Sequence, residues 1–174
     1  MKKRALIIYY IMLTSFTVYV ILDTLVLTKV YKKVDNISTI NYNGTYTDNS
    51  YEDENIKIDI STYREYNTNM YVANIYASSN YLKTAFANNS YGKNVTSKTS
   101  SIASANNAIL AINGDYYGVQ ESGYVLRNGE IYRDKPKSNQ EDLVIYENGT
   151  FEIINEKNVS LEKLKEKGAY QVLS

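Results

Sequence analysis

The sequence has 174 residues and a formal net charge of +0, from 19 basic and 19 acidic side chains. This balance gives no indication of a nucleic-acid partner, whose recognition requires a basic surface. His and Cys are both absent, which excludes His general bases, Cys nucleophiles, disulfides and the usual zinc ligand sets. Any catalysis must therefore rely on carboxylates, Tyr, Ser or Thr, Lys or Arg, or a hard cation, and the sequence specifies neither a metal nor a cofactor.

The N-terminal segment has the pattern of a membrane anchor. Three basic residues, 2–4, precede an apolar run over 5–22, which resumes after Asp23. Eighteen helical residues span about 27 Å, close to the thickness of a bilayer core. No Ala-x-Ala-like site follows, which favours an uncleaved signal anchor over a removed signal peptide. We therefore predict a single-pass cell-membrane protein with its anchor at 1–31 and the remainder extracytoplasmic, since a short basic N-terminus favours the inside.

The next segment, residues 32–54, is rich in Asn, Thr, Ser, Asp and Tyr and has few aliphatic residues. This composition predicts a polar stalk with little fixed structure. We expect the folded domain to occupy residues 55–174.

Within this domain, alternating apolar and polar residues predict three antiparallel hairpins, the first with a polar turn at 67–69 and the other two with Asn-Gly turns. The predicted hairpins join residues 56–60 to 70–77, 123–127 to 130–133, and 143–146 to 150–154.

Two short helices are predicted between these hairpins and the end of the sequence. Residues 99–106 suit a helix with a Ser or Thr N-cap, and 160–168 has Ser160 as N-cap and Gly168 as its stop. A strand is expected at 169–173. The predicted fold class is α+β: an N-terminal transmembrane helix followed by a mixed, mainly antiparallel sheet domain with β-hairpins and short helices, which we expect to be incomplete.

The stretch most suggestive of chemistry is a run of five apolar residues, 108–112, which reads as a fully buried strand. It is followed by Asn113-Gly114-Asp115-Tyr116-Tyr117. Asn and Gly tolerate positive φ, so the strand should end there in a turn. Polar groups held at the end of a rigid strand are well placed for binding or catalysis.

Each of these residues also has a purely structural interpretation. Asp115 is the candidate catalytic carboxylate, acting as base, nucleophile or cation ligand, or else an Asp that closes its own turn. Asn113 either binds a sugar or phosphate oxygen or caps the strand end. Of Tyr116 and Tyr117, which alternate in direction, one should point into the core while the other offers a platform for a sugar ring.

Arg127 precedes the Asn128-Gly129 turn. Its guanidinium is suited to bidentate phosphate recognition, although a lone Arg at this position is also typical of an ordinary surface. Glu121, Arg133 and Asp134 carry weaker signals of the same kind.

Residues 98–100, 106–117 and 122–129 together resemble the phosphodiester glycosidase family, which includes bacterial exopolysaccharide-related members. The most specific part is Ala-Ile-Asn-Gly-Asp-Tyr-Tyr followed by Gly-Tyr-Val-Leu-Arg-Asn-Gly. The resemblance implies an α+β domain that cleaves a sugar 1-phosphodiester, with Asn113, Gly114 and Asp115 at the floor of the site and Arg127 nearby. Family domains continue with an Arg-containing segment and an Asp-Gly-Gly-Gly-type motif, which are not present here. We therefore expect this chain to be the N-terminal part of such a domain.

The function implied by this resemblance is that of a membrane-anchored extracytoplasmic hydrolase that cleaves sugar 1-phosphodiester linkages in cell-surface or exopolysaccharide glycans. Its expected substrate is a glycan or sugar phosphate, and the membrane is contacted through the N-terminal helix. Two alternatives remain open: a non-catalytic anchored glycan-binding module, and an inactive truncated fragment of the enzyme.

Overall fold

The computed structural model describes residues 2–35 and 40–174. The first element is helix α1, Lys2–Leu25, of 24 residues. Its residues 3–25 have a mean hydropathy of 2.1 and are not covered by the rest of the protein. The helix is long and apolar enough to span a membrane or to act as a signal sequence, as the sequence predicts.

The end of α1 is fixed directly to the following domain. Asn94 Nδ2 donates hydrogen bonds to the carbonyls of Thr24 and Leu27, both at 3.1 Å. Asp23, the charge near the end of the apolar run, forms an ion pair of 2.7 Å with Lys29. The chain therefore leaves the helix without a flexible connection.

Strand β1, Lys29–Lys33, continues this attachment by pairing antiparallel with β6, Ser90–Lys93. The expectation of little fixed structure in residues 32–54 is wrong for residues 32–33, 45–46 and 50–52, which form strands, and the other described residues of the segment have no helix or strand. Residues 36–39 lie outside the described residues. The segment also contributes β2, Thr45–Tyr46, and β3, Ser50–Glu52. Asn and Ser content predicts poor burial, but it does not exclude strands whose hydrogen bonds are completed by a distant partner.

The second sheet has four strands in the order β2-β3-β4-β5. Strands β4, Ile56–Glu65, and β5, Thr68–Ala77, form the first predicted hairpin. Tyr66 and Asn67 at its turn have φ of 48° and 58°. Buried Tyr51 packs on Ile56 and Ile58 at one end of this sheet, while every residue of β5 is exposed.

The third sheet is built from the two remaining predicted hairpins and the last strand. Its strands are β7, Val125–Arg127, β8, Glu130–Arg133, β9, Glu141–Tyr146, β10, Phe151–Asn155, and β11, Ala169–Leu173. They lie in the order β10-β9-β11-β7-β8, and every described pairing in the three sheets is antiparallel. The fold is thus α+β, with antiparallel rather than mixed sheets in the described residues.

The main core lies between this third sheet and helix α3, Leu161–Glu166. Ser160 accepts a hydrogen bond from the Lys163 amide as the predicted N-cap, and Gly168 ends the helical segment with φ of 87°. Leu161 and Leu164 are fully buried against the sheet. The capping pattern and the apolar face of this helix were both predictable from local sequence.

Helix α2, Thr99–Ala105, also lies where it was predicted, but the predicted Ser or Thr cap is wrong. Lys98 occupies the N-cap position, and its side chain makes no capping hydrogen bond.

The expected buried strand at residues 108–112 is wrong. The segment has no strand structure, and Ile112 and Leu110 are 88% and 40% exposed. Only Ile109 packs inward, against the cluster around Tyr51. An apolar run becomes a buried strand only where neighbouring strands accept its backbone hydrogen bonds, and no described strand pairs with this one.

We predict that Leu164→Ala lowers the free energy of unfolding by roughly 2–5 kcal/mol, because it leaves a cavity in the core under α3. Leu110→Ala removes the same atoms from an exposed segment and should change it by less than about 0.5 kcal/mol. Denaturant unfolding of the full chain in a non-ionic detergent, followed by circular dichroism, measures both. Equal losses would show that residues 108–112 are buried after all.

Candidate functional site

The two faces of the third sheet carry different side chains because residues alternate along a strand. Leu126 faces the core under α3, whereas its neighbours Val125 and Arg127 face the opposite side. On that side Val125 packs against an aromatic cluster that includes Phe86 and Tyr91. The candidate site lies beside this aromatic cluster.

Arg127 is held in this site by two sets of hydrogen bonds. Its Nη2 donates to both oxygens of Asp115, at 2.8 and 2.7 Å. Its Nη1 donates to the carbonyls of Leu126, at 3.1 Å, and Val172. The side chain of Arg127 is 4% exposed and that of Asp115 is 10% exposed. The two charged residues singled out from the sequence are therefore partners in one nearly buried ion pair.

The residue after β11, the central strand of the third sheet, also contacts Asp115. The backbone amide and the hydroxyl of Ser174 each donate to Asp115 Oδ2, both at 3.4 Å. Asp115 thus connects its own irregular loop to both β7 and the residue after β11.

Asn113 and Gly114 are exposed on the same loop. Within the described residues the Asn113 side chain has no hydrogen-bond partner, and a Cβ added at Gly114 would meet nothing within 4 Å. These two residues leave open space next to the ion pair.

The two tyrosines that follow point in different directions, as predicted. Tyr116 is 76% exposed. Tyr117 stacks on Tyr91 with ring centroids 5.4 Å apart and an interplanar angle of 22°, and it meets the edge of Phe86. Burial in this cluster raises the pKa of Tyr117 to about 12, although the Arg127 guanidinium opposes the rise. Tyr117 is therefore a half-buried residue packed on the aromatic cluster, whereas Tyr116 is the tyrosine exposed on the Asp115 loop.

Two cavities are found near these elements, and the ion pair lines neither of them. The larger, about 510 Å³, lies at the end of α1 and includes Tyr117 in its wall. The smaller, about 120 Å³, lies between the second sheet and residues 109–110. Within the described residues no group of three or more Asp or Glu side chains is placed to hold a metal ion.

A pair of buried carboxyl groups, Asp142 and Glu156, is a feature that the sequence reasoning missed. Glu156 Oε1 accepts a hydrogen bond of 2.7 Å from the Tyr124 amide, and its other oxygen accepts from the Lys137 amide. Both oxygens of Asp142 are buried and have no hydrogen-bond partner in the described part of the chain. Burial, together with the neighbouring Glu156 carboxylate, raises the pKa of Asp142 to about 7.

The signal for this pair was present in the alternation of β9, where Asp142, Val144 and Tyr146 share the core-facing side. The predicted strand began at residue 143, which placed Asp142 in the preceding loop.

Comparisons of the chain with protein-family models, with curated proteins and with solved structures give no match. The function must therefore be argued from the residues and their geometry.

We predict that stability falls as the pH rises towards 7. Because the pKa of Asp142 is raised from 3.8 to about 7 on folding, the folded protein binds more protons than the unfolded chain between these values. Asp142→Asn removes this titration and should raise stability above pH 7 by roughly 1–3 kcal/mol. Thermal unfolding of the full chain in detergent between pH 5 and about 8 measures the effect.

Glu141→Gln, an exposed neighbour on the same strand, serves as the control and should leave the pH profile unchanged. A profile that is the same in Asp142→Asn and in the original protein would rule out Asp142 as the titrating group.

Proposed function

We propose that the protein is a membrane-anchored hydrolase of the extracytoplasmic side that cleaves sugar 1-phosphodiester linkages in cell-surface or exopolysaccharide glycans. The observation that carries the proposal is the pairing of Asp115 with Arg127 next to the open Asn113–Gly114 loop. Helix α1, long and apolar enough to span a bilayer, supports the anchoring. The basic residues at its N-terminal end support the placement of that end on the cytoplasmic side of the membrane.

The reaction needs a carboxylate near the anomeric carbon and donors for the phosphate. The departing phosphate is a weak base, so less general-acid assistance is required than for an ordinary glycoside. This suits a chain that has no His.

In the proposed complex, the phosphodiester anion competes with Asp115 for Nη2 of Arg127, since guanidinium groups bind carboxylates and phosphates with similar geometry. The released Asp115 oxygen then faces the sugar, acting either as nucleophile or as the base that activates water. Asn113 and Tyr116, both exposed on the same loop, contact the sugar ring.

The test is turnover of uridyl and aryl sugar phosphodiesters by the full chain in detergent, measured as release of the free reducing sugar. We expect Asp115→Asn to lower kcat/KM roughly 10²–10⁴-fold. Asp134→Asn, which removes an exposed carboxylate outside the site, is the control and should retain activity.

Circular dichroism shows whether each variant is folded. If Asp115→Asn fails to fold, Asn113→Ala on the exposed loop replaces it, with an expected loss of about tenfold. Full turnover by a folded Asp115→Asn protein would exclude Asp115 from the mechanism.

A non-catalytic anchored glycan-binding module is the second candidate. It is favoured by the engagement of both Asp115 oxygens with Arg127 and by the position of the pair outside the two cavities. In that function the ion pair only holds the loop to the sheet, and the exposed Tyr116 ring is the contact surface for sugars.

The two candidates give different results with the same proteins. For a binding module, the original chain binds glycans without turnover, and Tyr116→Ala weakens binding about tenfold. Asp115→Asn then lowers the stability of the protein but not its glycan binding. Asp115→Asn should lower the free energy of unfolding by roughly 3–5 kcal/mol, because the substitution leaves Arg127 buried without its partner.

A further inference from the structure

The larger cavity is a cleft of about 510 Å³ at the junction of α1 with the domain. Its walls come from the end of α1, from β1 and β6, from the turn Tyr117–Val119, and from the residues around the end of β8. The lining residues that carry charge are Asp23, Lys29, Lys93, Glu121, Arg133 and Lys135. Cations outnumber anions in this set by two, in a protein whose net charge is zero.

The cations of the cleft differ in whether they have an ion-pair partner. Lys29 is paired with Asp23 at 2.7 Å. Among the described residues, Lys93 and Lys135 have no ion-pair partner. Glu121 also has no ion-pair partner among the described residues, so the unpaired cations Lys93, Lys135 and Arg133 exceed it by two, and this excess is available to an anionic ligand.

Arg133 is held rigidly at the wall of the cleft. Its Nε donates to the carbonyl of Gly123 at 2.6 Å. Its Nη1 donates to the carbonyls of Tyr117 and Gln120, at 2.9 and 2.6 Å. The same guanidinium acts on Tyr91, where it opposes the rise in pKa that burial causes. A guanidinium oriented before a ligand arrives loses little conformational entropy on binding.

The cleft lies beside the C-terminal end of α1. Asp23 and Thr24, in the last turn of α1, form part of its wall. If residues 3–25 cross a bilayer, this end of the helix lies at the level of the lipid headgroups. Lys and Arg at that level are attracted to anionic lipids.

We propose that this cleft binds the phosphate group of an anionic ligand at the membrane surface, with a lipid headgroup as the source that its position favours. Arg133 supplies a fixed donor through Nη2, the nitrogen that the carbonyls of Gly123, Tyr117 and Gln120 do not use. Lys93 and Lys135 supply the unpaired charge. The inference uses the proposed membrane anchoring and does not depend on the hydrolase chemistry.

The experiment measures lipid retention by the full chain in a non-ionic detergent, using native mass spectrometry. Phosphatidylglycerol and phosphatidylcholine with the same acyl chains are compared, since both carry a phosphate but only the first is anionic. We expect one phosphatidylglycerol molecule per chain, retained at least tenfold better than phosphatidylcholine.

The variant K93Q/K135Q should reduce this retention at least tenfold. The matched control is K163Q/K165Q, which removes the same charge from the exposed face of α3 and should retain the lipid. Equal loss in the two double variants, or equal retention of the two lipids by the original chain, would overturn the proposal.

Titration with inorganic phosphate distinguishes the source of the ligand. The original chain could bind inorganic phosphate but retain no lipid, with K93Q/K135Q abolishing the phosphate binding. That result supports the phosphate site and overturns the lipid as the source of its ligand. Asp115 does not line the cleft, so failure of the hydrolase assay leaves this result unaffected.

Discussion

The ion pair between Asp115 and Arg127 is the interaction on which the irregular part of this fold depends. A guanidinium placed on a buried sheet face requires an opposite charge and satisfied donors, because desolvation of an unpaired ion is costly. Asp115 provides the charge and accepts from Nη2, and the carbonyls of Leu126 and Val172 accept from Nη1. This pairing holds the loop that carries Asn113 and Tyr116 in place, although the loop has no strand structure of its own.

The attachment of α1 has a comparable effect at the other side of the domain. Asn94 binds the last helical carbonyls, and β1 pairs with β6 immediately afterwards. The cationic cleft is formed by this junction, since its walls come from both the helix and the domain. The cleft therefore has a defined orientation relative to α1, which a flexible stalk would not allow.

Buried polar residues of the third sheet occur in two contrasting forms. Gln171 is fully buried, and its carbonyl oxygen accepts hydrogen bonds from Thr84 and from the Asn128 amide. Asp142 is equally buried but has no such donors in the described residues. The first arrangement stabilises the central strand, whereas the second makes stability sensitive to protonation.

Local sequence determined the elements of this protein that depend on near neighbours. The Asn-Gly turns, the Ser160 cap, the two leucines of α3 and the apolar run of α1 all act within a few residues, so their patterns predicted the hairpins and helices. Only the tertiary structure decided which strands meet. It placed β11 at the centre of the sheet, left residues 108–112 without a strand partner, and brought Asp115 and Arg127 together. Strand pairs and ion pairs between residues far apart in the sequence depend on the whole fold. The side-chain periodicity of a strand, two residues, or of a helix, 3.6 residues, does not encode them.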